Sequence, residues 1–546
     1  MKRIFLLLIA CYIPVICAYD GYAPNIRLNS ELDAFLLRLS SRYDVSLPAS
    51  WFCRPIHTAD LFSFLSSIDS LDSAGTLSPR ESFRLKRVKQ RFGLQSGIYR
   101  WKNEEKETAT LIHLSLTGDI QPRYSDGKGA AVLKGIINPS FTGSIGKLSF
   151  FSGVDVWTVY SSDTLYRKSS YQPYNGIPYN LFGRDTRKSK TRASDILRGG
   201  IGYRWDRIEV QTAVDYIRQG PAIFYPLTFS GYTPPLTYLR ARLDLWKADY
   251  FHTFGLLKSQ KDKRKYFYTH RLQIPLFRNR LIAGINETVI NGSTTDEEND
   301  SLQLNYYGEE RGFEWVYMIP FIPYAFAEHY NGDRDNATMS FDLCLNYPRN
   351  FRWYGEFFID DISAPWTLFS DDFGNKWGLT AGAQMFTVLF QKDITATVEY
   401  SRIEPWVYTH FYGGSHRYTH FGQSLGSPLG PNSAALVVQI ESEISPLNTV
   451  GIRFRNRRKN SSARGGSIKH IFQDSSYTFN DTTLYPSQPD SERKEFLGSQ
   501  TVSSNRLGLV WKFSPFGIFH VSAVVEYDFS SHNEGVFAHI DGGFVF

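Results

Sequence analysis

The residues best suited to chemistry lie in one segment, residues 402–433. It combines aromatic rings with histidines and an arginine: Trp406, Tyr408, His410, Tyr412, His416, Arg417, Tyr418 and His420. Sugar rings stack their C–H faces on aromatic rings while polar neighbours bond to the hydroxyl groups, and each ring contact contributes on the order of 1 kcal/mol. We therefore predict that these residues bind polysaccharide in an extracellular loop. A loop that folds inward as a plug fits the same composition and stays open as an alternative.

Metal binding and catalysis are less well supported. His410, His416 and His420 follow one another at intervals that match no familiar set of metal ligands. No catalytic motif is convincing, because there is no H-E-x-x-H and no cysteine with a plausible base beside it. The 12 His and many Asp allow acid–base pairs to be drawn anywhere, so such pairs carry no weight. We expect a non-enzymatic protein with no metal and no cofactor.

Charged residues of both signs occur at alternate positions in several strand-like stretches. They are Arg240, Arg242, Asp244, Glu356, Asp360, Glu399, Glu441, Arg453 and Arg455. In a membrane barrel such groups belong on the lumen face, because lipid cannot hydrate them. A salt-bridged, wet interior is the first interpretation, and a charge-selective path for a solute is the second.

The elements that must position these residues are strands. After residue 108 the hydrophobic period is two: Ile208 and Val210 face one way, and Glu209 and Gln211 the other. Each such window is about ten residues long, which suits a tilted strand that crosses a bilayer. Short turns alternate with long loops near residues 161–196, 219–235, 291–311, 362–376, 402–433 and 458–503. This alternation is typical of outer-membrane barrels, in which tight turns face the periplasm and long loops face outward.

The pattern predicts an all-β transmembrane barrel of about 18 antiparallel strands, within a range of roughly 16 to 20. The doubt in the count concerns the first windows of the barrel and residues 318–324, where Pro320 and Pro323 interrupt the alternation. Composition agrees with a β protein, since aromatic residues make up 16% of the chain and charged residues only 21%. The net charge of +6 on 546 residues gives no support for a nucleic-acid partner.

The two ends of the chain indicate export. Lys2 and Arg3 precede an apolar run, which predicts a signal peptide over residues 1–18, with cleavage somewhere between 17 and 23. Residues 24–95 have a helical period and predict a periplasmic helical bundle, followed by the barrel over 108–546. Phe546 closes an alternating strand, an ending that resembles the signal read by the barrel-insertion machinery. We expect the bacterial outer membrane, with its lipid and that machinery as partners, and periplasmic export components as partners of the helical bundle.

Several short motifs carry a family resemblance. They are Arg54-Pro55 followed by Ala59-Asp60-Leu61, the stretch 353–361, Tyr400-Ser401-Arg402, the stretch 418–422, Leu425-Gly426 and the stretch 430–433. Together with the order of helices and barrel, they resemble the capsule-assembly Wzi-type outer-membrane proteins. The resemblance implies a barrel of 18 strands above a periplasmic helical bundle, and a lectin-like role that attaches exported surface polysaccharide. The Ser- and Arg-rich loop 458–503 departs from that family. An outer-membrane porin or solute channel stays open as the alternative function.

Overall fold

A closed barrel forms most of the molecule. The computed structural model describes residues 22–23, 31–91, 108–125, 128–162, 190–258, 264–292, 312–332, 335–410, 413–468, 493–514, 519–530 and 534–545. Within these ranges, 18 strands pair in one closed antiparallel sheet. The last strand pairs with the first, for example Gly542 with Gly118, and this pairing closes the barrel. The predicted all-β barrel with about 18 strands is confirmed.

The strands follow one another in chain order around the barrel. They are β1 (Thr108–Ser125), β2 (Lys128–Ile145), β3 (Leu148–Ser161), β4 (Thr191–Arg204), β5 (Ile208–Asp215), β6 (Leu236–Asp244), β7 (Asp249–Lys258), β8 (Arg264–Leu276), β9 (Leu281–Gly292), β10 (Asn336–Leu345), β11 (Phe351–Asp361), β12 (Lys376–Leu389), β13 (Lys392–Ile403), β14 (Ser433–Ser445), β15 (Asn448–Asn460), β16 (Thr501–Phe513), β17 (Phe519–Asp528) and β18 (Gly535–Val545). All connections at one end of the barrel are short, whereas most of those at the other end are long, so the short-turn end faces the periplasm.

Alternation along each strand separates the lumen from the lipid face. On β8 the side chains of Lys265, Phe267 and Arg271 are buried and point inward. The outward positions of the wall carry exposed apolar side chains, among them Leu133, Ile137, Leu197, Ile201, Leu239, Ile285, Leu343, Ile440, Ile452, Leu509 and Val525. Such an apolar outer band is what the hydrocarbon of a bilayer requires.

Three helices precede the barrel in the described part of the chain: α1 (Glu31–Tyr43), α2 (Thr58–Ser73) and α3 (Pro79–Arg91). Helix α3 begins with a capping box, in which Ser78 N donates to Glu81 Oε2 at 3.0 Å and Glu81 N donates to Ser78 Oγ at 3.3 Å. The helices share one apolar core, and Ile282 and Cys344 of the barrel wall belong to it. Because two lumen residues complete that core, the helices are docked against the barrel and do not form an independent unit.

The helices close the short-turn end of the barrel. Arg38 Nη1 lies 2.6 Å from Glu443 Oε1, and Ser41 Oγ donates to Phe351 O at 3.1 Å. Arg242 on β6 lies 2.5 Å from Asp60 on α2. Burial opposes the charged form of Asp60, but Arg242 and Arg204 together lower the pKa of this carboxyl below its ordinary value. The helical part of the protein is therefore held at the periplasmic mouth by ion pairs.

The doubtful windows at residues 318–324 are not barrel strands. This stretch forms a short 3₁₀ helix, Trp315–Met318, followed by helix α4 (Tyr324–Tyr330), and neither belongs to the closed sheet. Among the described residues, no helix is long and apolar enough to cross a membrane. The predicted signal peptide over residues 1–18 and the C-terminal Phe546 lie outside the described residues.

Candidate functional site

The segment predicted to bind glycan, residues 402–433, contains the connection 404–432 between β13 and β14, and the described part of this connection folds inward. Trp406 is 5% exposed, and Tyr408 and Tyr418 are fully buried. The ring of Tyr408 packs against those of Phe358 and Tyr418 at centroid distances of 5.2 and 5.6 Å. The expectation that these rings form an exposed stacking surface is therefore wrong, because Phe358 of the barrel wall, Phe373 of a neighbouring loop and the rings of the segment itself already cover them. The plug alternative describes them correctly.

The polar members of the segment are buried as well. His416, Arg417 and His420 are all buried, and Tyr412 lies outside the described residues. His420 Nδ1 accepts a hydrogen bond from the backbone N–H of Lys258 at 3.0 Å. Burial lowers the pKa of His420 to about 3 and that of His410 to about 3.

An inward lysine fixes the same segment. Lys265 Nζ on β8 donates to the backbone oxygens of Gly414, Arg417 and Thr419 at 3.0, 2.6 and 2.9 Å. An ammonium group has three protons, and each finds a carbonyl oxygen here. Lys265 thus binds the backbone of the plug, and the side chains of the segment are not required for that contact.

Two of the predicted lumen carboxylates bind a second inward segment, residues 216–235 between β5 and β6. Glu399 accepts the backbone N–H groups of Ile223 and Tyr225, each at 2.7 Å. Glu399 also accepts hydrogen bonds from Phe224 N and Tyr354 Oη. Glu356 accepts the N–H groups of Ala222 and Leu227 at 2.8 and 2.6 Å. Because both carboxylates are buried and occupied by backbone donors, they fasten a loop and do not line a path for solute.

The inward segment also reaches the helical domain. The short strand Arg218–Gln219 pairs with Phe229–Ser230 on one side and with Cys53–Arg54 on the other. A three-stranded sheet therefore lies inside the lumen, with one strand from the helical domain and two from the loop. Residues that enter from opposite ends of the barrel meet there.

The remaining predicted lumen charges are paired with neighbours. Asp360 Oδ2 accepts the N–H of Tyr408 at 2.7 Å, and Arg240 Nη2 donates to Pro55 O at 2.7 Å. The other contacts are Arg242 Nε to Asp249 at 2.8 Å, Lys512 Nζ to Glu441 at 2.6 Å, Arg453 Nε to Gln439 at 2.6 Å and Arg455 Nη2 to Glu526 at 2.6 Å. Asp244 is different: it lies exposed at the strand end and accepts the N–H of Trp246 at 3.0 Å, so it caps a periplasmic turn instead of lining the lumen.

An aromatic platform that the sequence analysis missed lies on the loop between β11 and β12, residues 362–375. Trp366 is 87% exposed there, and Phe369 is largely exposed. Buried Asn375 holds the loop: it accepts the N–H of Ser363 at 3.0 Å and donates to Thr367 O at 2.5 Å. The available signal was a tryptophan directly after a proline in a long polar loop.

The platform is flanked by exposed charges. Arg493 lies 3.4 Å from Asp371, and both side chains are more than half exposed. The backbone N–H of Lys494 donates to Asp371 O at 2.7 Å, which fixes the two segments to each other. The exposed Trp366 and this exposed ion pair thus belong to the same outer loop and the segment joined to it.

One hydrolase-like motif is present in the sequence, but its structural context is wrong. Residues Gly422, Ser424 and Gly426 fit the pattern G-x-S-x-G. A nucleophile elbow needs a strand-to-helix turn, whereas Ser424 belongs to a two-residue strand paired with Thr419–His420. In the part of the chain that the structure describes, no group of three or more His, Cys, Asp or Glu side chains is arranged to hold a metal ion.

The closed sheet of 18 tilted strands, the apolar outer band and the sorted connections define a bacterial outer-membrane β-barrel. The chain is similar in fold to Wzi of Escherichia coli, described as an outer-membrane protein involved in group 1 capsule assembly and as a carbohydrate-binding β-barrel. That likeness has a TM-score of 0.58 and 12% identity, and it covers 96% of this chain and 99% of that one. The predicted resemblance to Wzi-type proteins is confirmed as a likeness of fold.

Other outer-membrane barrels also match. OccK5 (OpdH) of Pseudomonas aeruginosa has a TM-score of 0.42 at 8% identity, with 80% of this chain and 98% of that one covered. OprD of the same organism has a TM-score of 0.41 at 9% identity, with 80% and 95% covered. No protein-family model and no curated protein sequence matches the chain.

Proposed function

We propose that this barrel binds exported surface polysaccharide at its outward end and catalyses no reaction. The observation that carries the proposal is that segments of the chain itself fold into the lumen. Helices α1 to α3 occupy the periplasmic mouth, and the segments 216–235 and 404–432 occupy the interior, where buried Glu399 and Lys265 hold them. Because these segments and helices occupy much of the interior, the outward end of the barrel is the face available to a large ligand.

The exposed platform supplies the chemistry for such a ligand. Trp366 offers an open ring, and Asp371 on the same loop and Arg493 on the segment joined to it offer exposed hydrogen-bonding groups. Each contact with a sugar unit is weak, on the order of 1 kcal/mol. Retention of a long polymer then depends on repeated contacts along one chain and among many copies of the protein. The description of Wzi as a carbohydrate-binding barrel involved in capsule assembly agrees with this proposal.

The test compares two exposed tryptophans. Trp366→Ala together with Arg493→Ala should reduce the polysaccharide retained on cells and the binding of purified protein to a glycan array. Trp315→Ala, another exposed tryptophan on a different segment, is the matched control and should leave both unchanged. All variants should reach the outer membrane at equal levels and show heat-modifiable migration on a gel.

Planar bilayers separate the proposal from the channel alternative. A barrel whose lumen is obstructed by these segments should show no steady single-channel conductance at neutral pH. Stable, reproducible conductance in the unsubstituted protein, combined with full glycan retention in the Trp366 variant, would overturn the proposal in favour of a solute channel.

A further inference from the structure

The connection between β9 and β10 includes a segment that lies on the outside of the barrel. This wall strap comprises residues 312–332. On β8 the outward side chain of Tyr268 is 0% exposed, although neighbouring outward positions face the bilayer. The rings of Phe313 and Tyr317 cover it at centroid distances of 6.0 and 5.2 Å. The wall strap therefore packs against the lipid-facing surface of β7 to β9.

Polar side chains of the barrel wall bind the backbone of the wall strap. Glu314 N donates to Tyr268 Oη at 2.8 Å, and Phe321 N donates to Tyr250 Oη at 2.9 Å. Tyr324 N donates to Glu287 Oε2 at 2.9 Å. Non-helical backbone at membrane depth persists only where its N–H groups find partners in protein. Three polar groups that would otherwise face lipid thus satisfy three backbone donors of the strap.

The sequence of the wall strap further reduces the number of backbone N–H groups that need a hydrogen-bond partner. Pro320 and Pro323 have no N–H to satisfy. Residues 313–327 contain one charged side chain, Glu314. The strap also covers a polar pair of the outer wall, in which His270 Nε2 lies 2.7 Å from Glu287 Oε2. Polar groups therefore lie between the strap and the wall, and apolar groups lie outside.

The outer side of the wall strap is apolar and exposed. Phe321 is 57% exposed and Phe326 is 72% exposed; Trp315, Ile319 and Tyr330 are exposed as well. These side chains continue the exposed apolar band of the wall, which includes Ile285 and Leu343 nearby. The exposed side of the wall strap and the exposed band of the barrel wall therefore form one continuous apolar surface.

The wall strap reaches well below the outer rim. It begins near Asn291, which donates to Gly312 O at 3.3 Å and pairs with Tyr266, and it descends to Tyr250, which pairs with Leu272. Six residues of β8 span about 20 Å at ~3.3 Å per residue. With the usual strand tilt this is a depth of about 15 Å, more than half of an apolar band about 25 Å tall.

We propose that the wall strap is embedded in the outer membrane and that its outer side chains contact the acyl chains of the surrounding lipid. The proposal does not depend on polysaccharide binding. The fit of backbone donors to wall acceptors, the low charge and the continuity with the lipid-facing band all favour hydrocarbon as the neighbour. A loop exposed to water would leave this apolar surface uncovered.

The test places single thiols for a fluorescent label on the folded protein in bilayers that contain brominated lipid. Phe321→Cys and Ile319→Cys probe the wall strap, Leu343→Cys on β10 is the lipid-facing control, and Ser499→Cys in an outer loop is the aqueous control. Cys53 and Cys344 are buried, so the unsubstituted chain measures background labelling. Labels at 319 and 321 should be quenched as strongly as the label at 343, whereas the label at 499 should keep its emission.

Two results would overturn the proposal. The first is a label at 319 and 321 that escapes lipid quenching and reacts with a membrane-impermeant thiol reagent as fast as the thiol at 499. The second is protection from both lipid and water together with cross-linking between two copies, which would make the strap a protein interface. Normal heat-modifiable migration of each variant ensures that only folded barrels are compared.

Discussion

Acid should release the plug segment 404–432 through its histidines. His420 is buried, and its Nδ1 accepts the backbone N–H of Lys258 at 3.0 Å. Protonation would put a second hydrogen between those two nitrogens and a charge in a buried site. Burial accordingly lowers the pKa of His420 from 6.5 to about 3.

The sign and the size of the effect follow from linkage. The released segment takes up a proton near pH 6.5 and the packed segment near pH 3, so the stabilisation is complete above pH 6.5 and is lost as the pH falls toward 3. Two pH units below the ordinary value, at about pH 4.5, the loss is roughly 2.7 kcal/mol at ~1.36 kcal/mol per unit. That corresponds to about a hundredfold increase in the population of the released segment.

Hydrogen–deuterium exchange of peptides from residues 413–432 measures this change, after correction for the intrinsic rate at each pH. His420→Asn keeps an acceptor for the Lys258 N–H but does not titrate, so it should lose much of the pH dependence. His410 also has its pKa lowered to about 3, and the double variant with His410→Asn should lose most of the remainder. Equal pH dependence in the double variant and the unsubstituted protein would refute the reasoning.

Two further predictions concern the other fillings of the lumen. Glu399→Gln replaces a carboxylate that accepts several backbone N–H groups by a side chain with one acceptor oxygen. The free energy of unfolding should therefore fall by about 3 kcal/mol, and the amide hydrogens of residues 222–227 should exchange faster. An unchanged melting temperature would contradict this role. Asp60→Asn weakens the ion pairs with Arg242 and Arg204, so brief conductance openings should appear in planar bilayers, while Asp72→Asn on the same helix should stay silent.

Much of the fold could be read from local sequence. The alternation of Ile208 and Val210 with Glu209 and Gln211 predicts one strand with two faces, and the observed strand β5 covers these residues. Pairing of neighbours along the chain then leaves few ways to close the sheet. The interruption at Pro320 was also visible, but whether it marked a broken strand or another structure could not be decided from spacing.

The candidate site was predicted less well, because burial of a loop is a property of the space that it enters. Trp406 and Trp366 are both tryptophans in long outer loops, and composition treats them alike. The first is covered by other outer connections, since it packs against Phe373 and its backbone N–H donates to Gly465 O at 3.2 Å, whereas the second stands exposed on a loop that Asn375 holds. The sequence placed the lumen carboxylates on the correct face of their strands. Their partners, however, are backbone N–H groups of a loop, and a search for oppositely charged residues does not find such partners.

The sequence by itself determined which residues form strands and which faces they present, because side chains alternate across a strand whatever lies around it. The same alternation indicated a membrane barrel, because the strands of such a barrel present apolar side chains to lipid and polar side chains to the lumen. Only the tertiary structure decided where the long connections go. Residues 216–235 and 404–432 enter the lumen and residues 312–332 lie against the outer wall, because their backbone groups find partners at Glu399, Lys265 and Tyr250 that lie far away in the sequence.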